Sequence, residues 1–182
     1  HILARRQRQM CIRDSEKIKY IDHEDFKACS INANYEISKG HNGLEKALDM
    51  IVDKVEKKVD NNHNIIILSD RKTSKKYAPI PILLVCSYVH HSLIKRKKRS
   101  KFGIVIESAE PREPHHFSML FGYGASAINP YMVNEIIEYH HKLGFLNEQK
   151  LDKSIDNFNK AIAKGILKVM NKIGISTLHS YR

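Results

Sequence analysis

ESAEPREPHHFSMLFGYGASAINP, residues Glu107 to Pro130, holds the end of one apolar run, a carboxylate-rich turn with Arg112, and the pair His115-His116. An apolar segment closed by Gly122-Tyr123-Gly124 follows, then a second short apolar run ending in Asn129-Pro130. The order is strand, loop, helix, strand, in about the length of one β/α unit. Polar residues collect where each apolar run stops, so the stretch sets both the expected architecture and the place to look for chemistry.

The same grammar extends outward on both sides. Upstream, SINANYEI (30–37) alternates as a half-buried strand does. Leu44 to Val59 sets Leu44, Ala47, Leu48, Ile51, Val52, Val55 and Val59 at spacings of three and four, which predicts an amphipathic helix. Ile65 to Leu68 is apolar without a break, the mark of a parallel strand covered on both faces. A helix is expected from about Pro81 to Lys95, since proline is tolerated in a first turn, and a strand over Phe102 to Ile106. Downstream, the spacing predicts helices over Tyr131–Lys142 and Asp152–Lys172, and Gly174-Ile175-Ser176-Thr177 reads as the start of a further strand. Strand–helix alternation argues for α/β architecture: repeated β/α units with a mainly parallel sheet and right-handed crossovers. Both a partial TIM-barrel-like and a Rossmann-like arrangement fit. Residues 1–15, HILARRQRQMCIRDS, show no steady period and no caps. They read either as a non-native leader or as a disordered native N-terminus, leaving 16–182 as the folded part. The absence of a closing cap at Arg182 reads as a truncation.

Composition bounds the function. The chain of 182 residues is 42% apolar and 28% charged, ordinary for a globular domain with a core. The longest apolar run, Ile80 to Val89, is too short for a membrane span. The Arg-rich start lacks the apolar centre of a secretory signal, so an intracellular protein of cytoplasm or plastid is expected. Cys11, Cys29 and Cys86 are odd in number and widely spaced, which suggests neither a disulfide framework nor a zinc site. The formal net charge is +11, with a basic run KRKKRSK at 95–101. Such a run either serves a nucleic-acid-binding α/β module or is a lysine-rich helix end set against the dipole. No aromatic stacking motif accompanies it, which favours the helix end.

Candidate chemistry is thin. His115-His116 and His90-His91 are adjacent pairs whose members point about 100° apart on a helix, so neither pair converges on one metal. Capping or anchoring a helix fits them better. Asp70-Arg71 stands at a strand end, as an internal ion pair or a ligand contact. Glu107, Glu110, Arg112 and Glu113 offer paired carboxylates, but an arginine among them points to charge neutralisation rather than acid–base work. Asn129 closes the next strand. Gly122-Tyr123-Gly124 follows a helix and is a poor phosphate cradle. The residues give a fold class and no assignable active site.

ILSDR (67–71), API (78–80), VHHSLI (89–94), ESAEPREPHHF (107–117), GYGASAINPY (122–131) and KGILKVMNKIGISTLHSYR (164–182) together resemble the central domain of the glutamate synthase large subunit. The likeness runs in the same order from about residue 30 to 182, and residues 1–15 show no such likeness. It departs at Ala109, where the family usually has glycine, and at Ser92, Pro114 and His179. The resemblance implies a polypeptide that makes L-glutamate from glutamine and 2-oxoglutarate. An amidotransferase domain releases ammonia and a (β/α)₈ domain with FMN reduces the product imine. A 3Fe–4S cluster and either a small NADPH-oxidising subunit or ferredoxin bring the electrons. Amidotransferase and FMN domains of the same chain are then the expected partners, with no nucleic acid and no membrane. No catalytic, cofactor or metal residue transfers to this stretch. Asp70, Arg71, Glu107, Arg112, His115, His116 and Asn129 are expected to fix loops near an interdomain surface or ammonia passage.

Overall fold

Three apolar runs and one alternating stretch become the four parallel strands. A computed structural model describes residues 22–23, 25–146 and 150–181, so the expectation for residues 1–15 lies outside the described residues. In chain order the elements are β1 (Asp22–His23), β2 (Phe26–Asn32), β3 (Asn34–Glu36), α1 (Gly40–Asp60), β4 (Ile65–Ser69) and β5 (Tyr77–Pro79). They continue with α2 (Ile82–Lys95), β6 (Gly103–Glu107), α3 (Pro114–Gly122), β7 (Ala125–Asn129), α4 (Tyr131–Lys142) and α5 (Leu151–Ile173).

The main sheet has the order β1-β2-β4-β6-β7, with β1 antiparallel and the other four strands parallel. The expected β/α repeat with a parallel sheet is therefore present. Its parallel strands advance in chain order with no reversal, as a segment of a β/α barrel does; a doubly wound sheet reverses at a switch point. Residues alternate between two faces. Ile66, Leu68, Ile104, Ile106 and Ile128 pack with Val52, Val55, Val85, Val89, Phe117 and Leu120 of the connecting helices. Ile67, Val105 and Ala127 form a smaller buried cluster on the other face, with Ala28 and Ile65 against it. Burial on both faces explains why these strands read as unbroken apolar runs.

Two expectations are corrected. SINANYEI is not one strand: β2 ends at Asn32, and β3 pairs antiparallel with β5 in a separate ribbon. Ala33 is the junction, fully buried, its N–H donating to Ser69 O (2.8 Å) and its carbonyl accepting from Ile80 N (3.0 Å). Alternation continues through a change of partner, so the pattern alone does not show it. The expected strand at Gly174 is absent. Gly174 stops α5 in a left-handed conformation (φ 75°), which suits a residue without a Cβ, and the chain turns into a short 3₁₀ stretch, Leu178–Tyr181.

The helical layer closes through α3 and α5. Gly165 of α5 meets Pro114 of α3 so closely that a Cβ would lie 2.4 Å from the proline Cγ. Phe117 and Phe158 pack nearby, ring centroids 6.5 Å apart. Among the described residues, no helix is long and apolar enough to cross a membrane.

Candidate functional site

The register that aligns the strands also aligns their ends. Asn32, Ser69, Glu107 and Asn129 stand opposite one another across β2, β4, β6 and β7. One residue further on, the ladder continues into the loops: Asp70 N–H donates to Glu107 O (3.2 Å) and Ser108 N–H to Asn129 O (3.1 Å). This places Asp70, Glu107, Ser108 and Asn129, all buried, at the carboxyl end of the sheet, where sites form in parallel α/β folds.

Asp70 is 3% exposed and accepts three hydrogen bonds. Ser108 Oγ–H (2.6 Å) and Ala109 N–H (3.1 Å) reach Oδ2, and the Tyr131 hydroxyl (2.8 Å) reaches Oδ1. Burial first, then the bond to Asp70, pushes the Tyr131 phenol well above its ordinary range. Glu107, 2% exposed, accepts from Ser69 Oγ–H at Oε2 (2.5 Å) and from Arg71 Nε–H at Oε1 (3.0 Å). The same guanidinium donates to Glu135 on α4 (3.0 Å) and lies 4.0 Å from the centroid of the Tyr131 ring. Burial acts to lower the Arg71 pKa, but its bonds and charge attraction to Glu107 and Glu135 outweigh it and hold the group above its usual value. Arg71 pairs with Glu107, while Asp70 is satisfied by two hydroxyls and one backbone N–H. Charge-assisted bonds of this kind are the stronger class, and a buried carboxylate without them would be costly.

Glu110 does something else. Both of its oxygens accept from the Ile82 N–H (3.2 Å each), capping the start of α2 from 28 residues away. That helix needs an outside cap because Pro81 precedes it and has no capping side chain. Burial raises the Glu110 pKa, partly opposed by the bond from Ile82. The carboxylate borders a cavity of about 260 Å³ together with Leu83, His116 and Met119.

The remaining expected residues do not join the network. Arg112, His115 and His116 are exposed on the outer surface where α3 begins, and His116 Nδ1 accepts from the Arg112 backbone N–H (3.2 Å). Ser69 and Ser108 belong to the polar strand ends that the sequence marks, although their roles do not show there; the members that the sequence reading does not single out are Tyr131 and Glu135. The only signal for the last two is their four-residue spacing at the head of a helix that follows a strand end.

At the opposite end of the sheet a second polar cluster closes the fold. His90 is buried in α2, and its Nδ1 accepts from Arg99 Nε–H (2.9 Å). Arg99 also donates to the carbonyls of Phe102 (2.7 Å) and Gly124 (2.7 Å). Gly124 has φ 107°, and a Cβ there would come within 2.3 Å of His90 Nδ1. Glycine is required twice over, by backbone angle and by space. His90 is thus a structural acceptor, and its neighbour His91 is exposed and meets it edge-on at 5.1 Å between ring centroids. Much of the basic run is likewise engaged inside the molecule. Arg96 pairs with Asp53 and Glu56, and Lys98 with Glu56 (2.8 Å) and Asp60 (2.7 Å), all on α1.

Among the described residues, the donor set does not fit the iron–sulfur cluster that the resemblance implies for the whole polypeptide. Cys86 is buried and donates its thiol to the Tyr123 carbonyl, and burial raises the Cys29 thiol pKa, opposite to what a thiolate ligand needs. Among the described residues, no group of three or more His, Cys, Asp or Glu could hold a metal ion. Gly124 faces a histidine ring, so the Gly122-Tyr123-Gly124 turn is no cradle for a flavin phosphate.

Comparison with known proteins places this scaffold. The family model described as glutamate synthase central domain matches residues 3–182, so the match takes in most of the stretch 1–15 that the residues alone set apart. The chain is 38% identical over 165 residues to the glutamate synthase [NADPH] large chain of Bacillus subtilis, covering 91% of this chain and 10% of that protein. It is 36% identical over 179 residues to the glutamate synthase [NADH] of Schizosaccharomyces pombe, covering 95% of this chain and 8% of that one. It is 32% identical over 162 residues to the ferredoxin-dependent glutamate synthase of Pyropia yezoensis, covering 83% and 10%. The chain thus spans about a tenth of the length of these relatives. With a family match across almost its whole length and a β/α scaffold whose strand ends are locked by their own side chains, the chain belongs to the glutamate synthase central domain family.

Proposed function

We propose that the polypeptide carrying this domain is a glutamate synthase, an oxidoreductase forming L-glutamate from glutamine and 2-oxoglutarate. In this reading the domain is the connecting scaffold between the amidotransferase part and the FMN part. Electrons come from NADPH, NADH or ferredoxin, as the names of the relatives allow. FMN and the iron–sulfur cluster sit elsewhere in the polypeptide, and no step of the chemistry runs through the residues described. Their work is positional: Asp70, Glu107 and Arg71 hold the ends of β4 and β6 against α4, and Asn129 extends that ladder to β7. Arg112, His115 and His116 stand on the surface, available to neighbouring parts of the chain.

The observation that carries this reading is the Asp70 carboxylate, buried and bonded to Ser108, Ala109 and Tyr131 from two other segments. A group so engaged stabilises geometry. The test is Asp70→Asn in the full-length polypeptide. The new amide N–H₂ faces existing donors, so stability falls by roughly 1–3 kcal/mol. The kcat of protein that remains folded stays near the parent value. A kcat lowered by orders of magnitude with an unchanged melting temperature would place Asp70 in the chemistry and sink the scaffold reading.

A further inference from the structure

Helix α4 is amphipathic, yet Tyr131 is its sole buried residue, whereas α1 buries seven. At 3.6 residues per turn, Met132, Val133, Ile136, Tyr139 and Leu143 share one side of its axis, while Glu135, Glu138 and Lys142 share the other. On the apolar side Ile136 is 42% exposed, Tyr139 59% and Leu143 50%, and Phe145 in the following turn is 72% exposed. These side chains are not scattered. The His140 ring lies 6.2 Å from Tyr139 and 5.7 Å from Phe145, centroid to centroid, giving a continuous aromatic ridge. A contiguous apolar patch rimmed by polar residues marks an interaction site, and aromatic anchors are the residue types that dominate such sites.

Two observations choose the occupant. The chain accounts for about a tenth of the length of its relatives, so most of a polypeptide of that kind lies outside it. The polar side of α4 offers no surplus of cations to anionic lipid headgroups, because Glu135 pairs with Arg71 and Lys142 with Glu138. We propose that the apolar side of α4, with the turn through Phe145, is the seat of a neighbouring domain of the same polypeptide. That domain presents an apolar surface with room for the Tyr139 and Phe145 rings. The proposal rests on the central-domain reading above and adds to it the surface through which the domain is held.

The test uses the full-length polypeptide with single cysteines at Ile136→Cys and Phe145→Cys. Met50→Cys, at an exposed position of α1, is the control. Maleimide labelling is followed peptide by peptide, which separates the native cysteines. Labelling at 136 and 145 is expected to be at least about tenfold slower than at 50, as for groups that react only on local opening. Equal rates at all three positions would overturn the proposal. Protection that vanishes on dilution would assign the ridge to a second copy, overturning the proposal while leaving the central-domain reading intact. A gene product with no further domains would remove that reading itself.

Discussion

Glu110 shows how one side chain can be stabilising and strained at once. It satisfies the orphan N–H of Ile82 from a position still open to solvent, and partial loss of hydration around the carboxylate raises its pKa. Between the ordinary carboxylate value and the raised folded value, the folded state holds more of this proton than the unfolded state. Stability from this group is therefore fully present below that window and declines as pH rises through it. Glu110→Gln keeps an acceptor for Ile82 and removes the titration. Melting temperatures of parent and variant, measured from pH 4 to 7, should diverge upward through the window with the variant at or above the parent at pH 7. Parallel curves would show that the carboxylate does not titrate as its burial requires. At this scale the sequence revealed only part of the site. Asp70, Arg71, Glu107 and Asn129 stand at the ends of apolar runs and could be found by that position. Ser69 and Ser108 share that position, but their bonds to Glu107 and Asp70, and the part of Tyr131, could not be read, because a hydroxyl becomes a partner of a buried carboxylate only through register between strands. Arg112, His115 and His116 looked like members because they follow Glu107 closely in sequence, yet the loop carries them outward to the start of α3.

Among elements, the strong periodic segments declared themselves and the short ones did not. β5 spans three residues and is held by pairing with β3, so nothing in Tyr-Ala-Pro marks it as a strand. The contact of α3 with α5 was equally hidden, since it depends on a missing side chain. Gly165→Ala pits two effects against each other. Alanine gains up to about 1 kcal/mol in helix propensity. Its Cβ, however, would meet the rigid Pro114 ring at 2.4 Å, and overpacking of this kind costs roughly 1–3 kcal/mol. The ring cannot swing aside as a flexible chain end could, so we expect the clash to win and the melting temperature to fall. A rise would mean that α3 and α5 can separate without loss.

For the whole molecule, the class of sheet was readable from alternating runs, but the partners of its charges were not. The basic run at 95–101 reads in the sequence as a lysine-rich helix end in preference to a nucleic-acid-binding surface, with no partner visible for its charges. Its Arg96 and Lys98 are instead laid against Asp53, Glu56 and Asp60, which recur along one side of α1 some forty residues earlier. Only the packing of α1 beside α2 brings the two signs together. Exposed pairs of this sort contribute roughly 0–1 kcal/mol each, so their effect is to lower the free positive charge more than to hold the fold. The bond between Asp70 and Tyr131 has a wider reach, because it joins residues 61 apart in the chain. Its two ends meet only when β4, β6 and β7 are aligned, so the bond couples the three strands. The sheet should consequently behave as one exchange unit: the amides of Ile67, Val105 and Ile128 should open to deuterium with a common free energy, and staggered values would show that the β/α units come apart one at a time.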